Sequence, residues 1–204
     1  MARRIKGVEQ EDWGPEVRAA LAPTLGPVAA LEGRATDDRG PTPQKPLNIL
    51  TVMAQQPKLL APFIAWASAL VLEGVLSRRD HELLALRTAV NCRSDFEWGH
   101  HAVYARAAGL DEDEIGRVAA GPSAPGWGTD DAALLRAADE LHRDATITDR
   151  TWSELAGRLH PGALVEVAMV VGQYSMLSML ANAAEVETEP GHDPLPLRDT
   201  GSRR

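Results

Sequence analysis

The residues best suited to chemistry in this sequence are a carboxylate and an imidazole four positions apart, Glu97 and His101. On a helix this spacing places both side chains on one face, within reach of each other. A carboxylate can fix the tautomer of a neighbouring imidazole, and such a pair can pass a proton near neutral pH. The pattern therefore indicates acid–base chemistry, and the competing interpretation is an ordinary solvated pair on a helix surface.

Two more ionisable side chains, Glu82 and Arg87, lie close to this pair in the sequence. They border an apolar face that Leu83, Leu86 and Val90 predict for the preceding helix. If that helix packs against the next one, four charged or titratable groups converge on one cleft. We predict that all four line one pocket, close to a subunit boundary.

Four neighbouring side chains are candidate substrate contacts: Trp98, His100, Tyr104 and Cys92. Trp98 is equally typical of a core or interface anchor, and His100 is offset from His101 by about 100° around a helix. Cys92 is the only cysteine, so an intramolecular disulfide is excluded, and its other interpretation is a small buried hydrophobe.

A metal site is weakly suggested by the spacing of Glu97 and His100, which matches one Glu-x-x-His motif of a di-iron bundle. Such a bundle needs two of these motifs and two further glutamates, and the nearest echo is Asp139 with His142. The sequence also lacks a glycine-rich phosphate loop and a serine nucleophile elbow. We therefore expect neither a metal nor a cofactor.

Helical periodicity dominates the elements that must position these residues, and no segment alternates with the period of a strand. The fold class is therefore predicted to be all-α, with six to eight helices. Leu59, Phe63, Trp66 and Leu70 recur at helical spacing, and Trp152 and Leu155 are predicted to face inward. Helices are predicted at 11–21, 47–55, 59–72, from Ser77, at 95–108, 111–120, from Thr129, at 148–159 and from Pro161.

The net charge of −8 and the pI of about 5.2 argue against a nucleic-acid partner. The most apolar stretch, 163–184, is long enough to span a membrane, but polar residues interrupt it. We interpret it as a buried core helix that needs cover on every side, which suggests a subunit interface. A soluble, cytoplasmic protein without a membrane partner is expected.

The chain is divided into an N-terminal extension and loop at 1–46, one helical domain at 47–186, and a mobile tail at 187–204. Across 47–186 the sequence resembles the carboxymuconolactone decarboxylase / alkylhydroperoxidase D superfamily. This resemblance implies an alkylhydroperoxidase D-like helical bundle. It is carried by Arg79-Asp-His-Glu-Leu-Leu-Ala-Leu-Arg-Thr-Ala, by Asp95-Phe-Glu-Trp-Gly-His-His, and by segments 107–110, 132–141 and 164–174.

The peroxidase branch of that superfamily carries Cys-x-x-Cys-x-x-x-His after an upstream glutamate. Here the pattern falls on Ser94, Glu97 and His101, with Glu82 as the upstream acid, and Cys92 cannot supply the missing pair. The sequence instead resembles the decarboxylase-like branch. That resemblance implies a homo-oligomer (dimer, trimer or hexamer) that works without a cofactor and removes CO2 from a small lactone acid.

On this resemblance His101 is the expected proton donor, and Glu97 orients and recharges it. Arg87 either holds a substrate carboxylate or forms a structural pair with Glu82. A related lyase, isomerase or ring-opening reaction on another small carbonyl substrate remains open. Two other classes are kept as alternatives: an antioxidant peroxidase that uses Cys92 alone, and a non-catalytic oligomer that binds a small ligand.

Overall fold

The computed structural model describes residues 4–22 and 46–196, and these residues form nine α-helices and no strand. The all-α prediction is confirmed. The predicted loop residues 33–45, and 197–204 of the predicted tail, lie outside the described residues. The helices are α1 (Pro15–Leu21), α2 (Asn48–Met53), α3 (Pro57–Leu72), α4 (Arg78–Cys92), α5 (Asp95–Ala107), α6 (Glu112–Ala120), α7 (Thr129–Asp144), α8 (Asp149–Ala156) and α9 (Pro161–Ala184).

The first of two compact units comprises Met1–Gly74 and Leu180–Gly191. In it α1 and α2 pack against α3, and Trp13, Val17 and Leu21 are buried at the spacing that the sequence predicts. Helix α3 begins at Pro57, two residues before the predicted start, and a proline is tolerated at the first helical position because it has no amide hydrogen to leave unpaired.

The buried face of α3 includes only part of the apolar set that recurs at helical spacing. Leu60, Ile64 and Leu70 are buried, whereas Leu59 is 63% exposed and Trp66 is 41% exposed. The helix that the spacing predicts is therefore present, but Leu59 and Trp66 lie outside its buried face. Apolar residues occur on both sides of α3, so helical spacing alone does not select the buried side.

The second unit comprises Val75–Met179 and His192–Arg204, and α4 lies at its centre. This helix packs against α5, α6 and α7, which explains why nearly every residue from 80 to 89 is buried. The Ser77 hydroxyl caps α4 by accepting a hydrogen bond from the Asp80 amide. The Asp80 carboxylate accepts a hydrogen bond from Arg158 at 2.8 Å.

A short turn sets the position of α5 relative to α4. Arg93 ends α4 in a left-handed conformation (φ 52°), and the Ser94 hydroxyl then caps α5 by accepting from the Glu97 amide. The two helices therefore fold back on each other directly after Cys92. This turn brings the beginning of α5 alongside α4, which is the arrangement that the sequence-based cleft requires.

Later boundaries mostly follow the predicted signals. The Asp111–Glu114 capping box is present, and Gly109 adopts the positive φ of 92° expected after a helix end. Helix α7 begins at Thr129, as predicted, with Gly128 at its N-cap. The predicted inward orientation of Trp152 in α8 is wrong, because this side chain is 48% exposed.

Helix α9 begins at Pro161, as predicted, and is the one helix among the described residues that is long and apolar enough to cross a membrane. In its most apolar window 56% of the residues are buried within the protein, as in the core helix of a globular domain. Beyond α9, the predicted tail is partly docked: Leu195 is buried and its amide donates to Asp95 at 3.2 Å.

Candidate active site

The second unit places one imidazole between two carboxyl groups, all three of them buried. His101 Nδ1 lies 2.6 Å from Glu82 Oε2, and His101 Nε2 lies 3.6 Å from Glu97 Oε2. The exposed fractions of the side chains are 6% for His101, 7% for Glu82 and 4% for Glu97. Helix α4 supplies Glu82 and α5 supplies the other two, so packing of these helices assembles the cluster.

The two contacts of His101 are not equivalent. A carboxylate offers only acceptors, so with Glu82 as a carboxylate the short contact places the hydrogen on Nδ1, which donates it. Nε2 then presents its lone pair towards Glu97. Glu82 therefore makes the orienting contact that spacing assigns to Glu97, because the partner on the adjacent helix approaches more closely than the partner one turn away.

The Glu97 carboxyl is held in an unusual environment for an acid. Burial raises the pKa of Glu97, and the nearby imidazoles of His101 and His100 oppose this shift only in part. Among the described residues, its Oε1 atom has no hydrogen-bond partner. Burial thus favours the protonated carboxyl of Glu97 over its carboxylate.

Tyr174 and His81 also belong to the cluster, although neither was predicted from the sequence as a site residue. The Tyr174 ring packs edge-on against His101 with centroids 4.2 Å apart, and its hydroxyl lies 2.7 Å from His81 Nε2. Burial lowers the pKa of His81 to about 4, and burial raises the pKa of Tyr174. Two features of the sequence could have indicated these residues: a tyrosine inside the apolar α9 and a histidine directly before Glu82.

Arg87 does not join this cluster. Its guanidinium pairs with Asp139, with Nη2 2.9 Å from Oδ2, and donates to the Val118 carbonyl at the end of α6. Gly121, in a positive-φ conformation (96°), makes room for it, because a Cβ there would lie 3.1 Å from Nη2. Neither the predicted pairing with Glu82 nor a free guanidinium for a substrate is observed.

The aromatic candidates divide between the cluster and other parts of α5. Tyr104 meets His101 edge-on with centroids 5.4 Å apart, so it borders the cluster. His100 lies against Phe96 and His192, and its Nδ1 bonds to the Phe96 carbonyl at 2.8 Å. Trp98 is 2% exposed, which is typical of a core anchor.

The remaining candidate, Cys92, is half-buried at the end of α4. Its sulfur lies 3.7 Å from His142 Nδ1 and bonds with Ser175 and Ser178. Burial raises the pKa of the thiol in spite of those two hydrogen bonds. At neutral pH this environment disfavours the thiolate, which is the nucleophilic form of cysteine.

Metal ligation is the other chemistry that the sequence raised. Within 4–22 and 46–196, His, Cys, Asp and Glu side chains form no group of three or more that could hold an ion. The arrangement that the residues do form, a buried acid–imidazole–acid row beside a tyrosine, is suited to moving protons.

Comparison with known proteins gives one family match over part of the chain. Residues 57–140, which include Glu82, Glu97 and His101, match the model of the carboxymuconolactone decarboxylase family. The comparison with curated proteins finds no match.

Solved structures show the same fold. The debrominase Bmp8, in complex with 2,3,4-tribromopyrrole, superposes with a TM-score of 0.73 at 14% identity, covering 93% of this chain and 94% of that one. An uncharacterized peroxidase-related protein from Ralstonia eutropha, described as an alkylhydroperoxidase AhpD core, superposes with a TM-score of 0.74 at 14% identity, covering 92% of this chain and 93% of that one. A peroxidase-related protein from Silicibacter superposes with a TM-score of 0.70 at 16% identity, covering 92% of this chain and 94% of that one. These superpositions show that the alkylhydroperoxidase D-like helical bundle expected from the sequence is the fold of this chain, and residues 57–140 of it match the carboxymuconolactone decarboxylase family model.

Proposed function

We propose that this protein is a cofactor-independent enzyme that transfers a proton to a small lactone or carbonyl acid, and that it removes CO2 in doing so. The observation that carries the proposal is the buried row formed by Glu82, His101 and Glu97. Members of this family are enzymes, among them decarboxylases, debrominases and peroxidases. The row supplies what a proton-transfer enzyme needs, and it contains no sulfur.

The row assigns a different task to each of its members. Glu82 orients His101 by accepting from Nδ1, Glu97 holds the proton that is delivered, and His101 Nε2 restores that proton afterwards. These roles are the reverse of those expected from the sequence, in which His101 donates the proton and Glu97 recharges it. The reversal is based on two observations: Glu97 Oε1 has no hydrogen-bond partner among the described residues, and His101 lies between two carboxyl groups. A neutral Glu97 also does not repel an anionic substrate.

The proposed reaction balances without a redox partner. The bond between the ring carbon and the substrate carboxylate breaks, its electron pair moves onto the lactone carbonyl oxygen, and CO2 leaves. The carboxyl proton of Glu97 then moves to the ring carbon as the carbonyl re-forms. A proton from solvent passes through His101 Nε2 and returns Glu97 to its acid form, so each turnover consumes one proton.

The test uses a panel of carboxylated butenolides and related lactone acids, incubated with the purified protein in D2O. We expect CO2 release with one deuterium at the ring carbon per CO2, measured by mass spectrometry and NMR. Glu97→Gln and His101→Asn are expected to lower kcat by about 10²–10⁴-fold while the circular dichroism spectrum is unchanged.

Matched controls are Glu112→Gln and His160→Asn, which make the same chemical changes at exposed positions. Both are expected to keep the rate of the unmodified protein. Full turnover in Glu97→Gln and His101→Asn would refute the proposal. So would the absence of turnover across the panel if 2,3,4-tribromopyrrole, the ligand of the structurally similar debrominase, were consumed instead.

A peroxidase that relies on Cys92 alone is the main alternative, and the raised pKa of the thiol argues against it. Treatment with a hydroperoxide followed by mass spectrometry distinguishes the two. We expect no sulfenic acid at Cys92 at stoichiometric peroxide, and rapid oxidation there would favour the peroxidase.

The protein is also proposed to act as a homo-oligomer through one face of α9. Val165, Met169, Met176 and Met179 are exposed on this face, by 55%, 42%, 42% and 65%. Gly172 lies midway between them with open space beside its Cα. Val165 and Met179 each lie seven residues from Gly172, whereas Met169 and Met176 lie three and four residues from it, so the spacing is nearly symmetric. An antiparallel copy would set Met169 near Met176 and Val165 against Met179, as a two-fold interface requires.

Light scattering after size-exclusion chromatography tests this contact. The unmodified protein is expected to elute as a dimer or a multiple of it, and Met176→Lys as a smaller species, because each dimer would bury two copies of the new charge. Leu59→Lys is the control, since it adds the same charge at an exposed apolar position of α3. A monomeric unmodified protein would contradict the proposal.

A further inference from the structure

The proposed reaction moves an electron pair onto a carbonyl oxygen, and that oxygen needs a hydrogen-bond donor. Arg87, the cation expected from the sequence to hold substrate charge, is committed to Asp139 and to the end of α6. The row itself offers no further donor, because Glu82 accepts from His101 and the Glu97 proton is the one transferred. Another group must therefore stabilise the oxyanion.

We propose that Tyr174, polarised by His81, is that group: its hydroxyl donates a hydrogen bond to the substrate oxyanion. This inference rests on the proposed function and adds a catalytic residue to it. Its geometric basis is the 2.7 Å contact between the Tyr174 hydroxyl and His81 Nε2, and the 4.2 Å packing of the Tyr174 ring on His101. The hydroxyl is thereby held within the cluster that carries the proton.

The direction of the His81–Tyr174 hydrogen bond decides whether the hydroxyl is available. If His81 carries its hydrogen on Nε2, it donates to the tyrosine oxygen, and the tyrosine hydrogen is left for the substrate. If His81 carries the hydrogen on Nδ1, the tyrosine hydrogen is used by His81. The proposal requires the first arrangement.

Burial favours the neutral forms of both groups. The lowered pKa of His81 leaves one hydrogen on its ring at neutral pH, and the raised pKa of Tyr174 keeps the phenol protonated. Both residues are about 5% exposed, so water competes little for the hydroxyl. The tyrosine thus acts as a hydrogen-bond donor and not as a second source of protons.

The first experiment reads the tautomer of His81 directly, in the full chain and without substrate. Histidine labelled with ¹⁵N gives distinct ring-nitrogen shifts for the two tautomers, and His81→Gln assigns the signal among the six histidines. A hydrogen on Nε2 is the expected result. A hydrogen on Nδ1 would overturn the proposal.

The second experiment measures binding of a small phenolate, 4-nitrophenolate, whose negative oxygen is conjugated with an unsaturated ring, as is the oxygen of the proposed enolate intermediate. We expect its absorbance to shift on binding to the unmodified protein, and Tyr174→Phe to weaken binding at least tenfold. Thr88→Val is the matched control, because it removes another fully buried hydroxyl that bonds only to the Leu84 carbonyl. Equal affinity in Tyr174→Phe, or no binding by the unmodified protein, would overturn the proposal.

Turnover separates this inference from the function on which it rests. With an active lactone acid, Tyr174→Phe is expected to lower kcat by about 10²–10³-fold with a much smaller change in KM. An unchanged kcat would refute the role of Tyr174 while leaving the acid–base row intact. Absence of turnover in the unmodified protein would instead refute the proposed function, and the phenolate and tautomer measurements would still decide whether the donor exists.

Discussion

Two groups of ionisable residues on α4 illustrate how differently one helix can use its charges. Arg87 meets Asp139 through two hydrogen bonds, and Asn91 and a helix-end carbonyl complete the arrangement. Glu82, little more than one turn earlier, meets an imidazole that also faces a second carboxyl group. The first group is matched in charge and hydrogen bonding, whereas the second has an excess of acid.

This difference indicates what each group is for. A matched pair gains stability from its own contacts and has no capacity left for a ligand. A buried acid with an oxygen that lacks a partner opposes folding, and in native proteins such groups concentrate at functional sites. The imbalance at Glu97 is thus the feature that distinguishes the candidate site from the structural ion pair on the same helix.

The largest expected effect comes from breaking the matched group. Arg87→Met removes one partner of a largely buried pair and leaves the Asp139 charge unbalanced, so the free energy of unfolding should fall by about 3–5 kcal/mol. Urea denaturation measures this loss. The kcat of the molecules that remain folded should change by less than about twofold, and a large loss of kcat without a loss of stability would return Arg87 to the active site.

The second-largest expected effect is a loss of folding stability on acidification, which we attribute to His81. Because folding lowers the pKa of His81 from 6.5 to about 4, the unfolded chain binds more protons between these values, and stability falls as the pH drops through them. The full loss is roughly 3 kcal/mol at 1.36 kcal/mol per pKa unit.

The matched variant for this prediction is His81→Gln, which keeps a hydrogen-bonding group beside Tyr174 and does not titrate. Denaturation at pH 7 and at pH 4 should show a smaller acid loss in His81→Gln than in the unmodified protein. Parallel losses in the two proteins would mean that His81 is not the acid-sensitive group. Glu82, His101, Glu166 and Arg78 contribute to the field at His81 and are unchanged in both proteins.

The smallest expected effect is the loss of folding stability that Glu97 causes as the pH rises, which is opposite in pH dependence to the effect of His81. Because burial raises the pKa of Glu97, the folded protein binds more protons than the unfolded chain above the ordinary glutamate pKa, and stability falls as the pH rises towards the folded value. Glu97→Gln should therefore be more stable than the unmodified protein at pH 8, and the difference should shrink towards pH 4.

Thermal unfolding at several pH values measures this difference, with Glu112→Gln as the exposed control. A variant that is less stable at pH 8 than the unmodified protein would show that Glu97 is a stabilising partner of His101. The comparison between the two groups on α4 would then lose its basis. A stabilised but inactive Glu97→Gln would strengthen the comparison, because it would separate function from stability at one residue.

The sequence by itself determined the all-α fold, most helix boundaries and the pairing of Glu97 with His101. These features depend on local information: caps such as Ser94 and Asp111, the proline that begins α9, and a spacing of four residues on one helix. Local hydrogen bonds and helical geometry are fixed by neighbours in the chain, so they can be read without knowing the packing.

Only the tertiary structure decided which partner each charge takes. Arg87 pairs with a residue 52 positions away, Glu82 with one 19 positions away, and His81 with one 93 positions away. Helical periodicity gives the face on which a side chain lies but not the helix that covers that face. For that reason the sequence predicted Arg87 in the site and Trp152 in the core, and it gave Tyr174 no role in the site, whereas packing between distant helices arranged each of them differently.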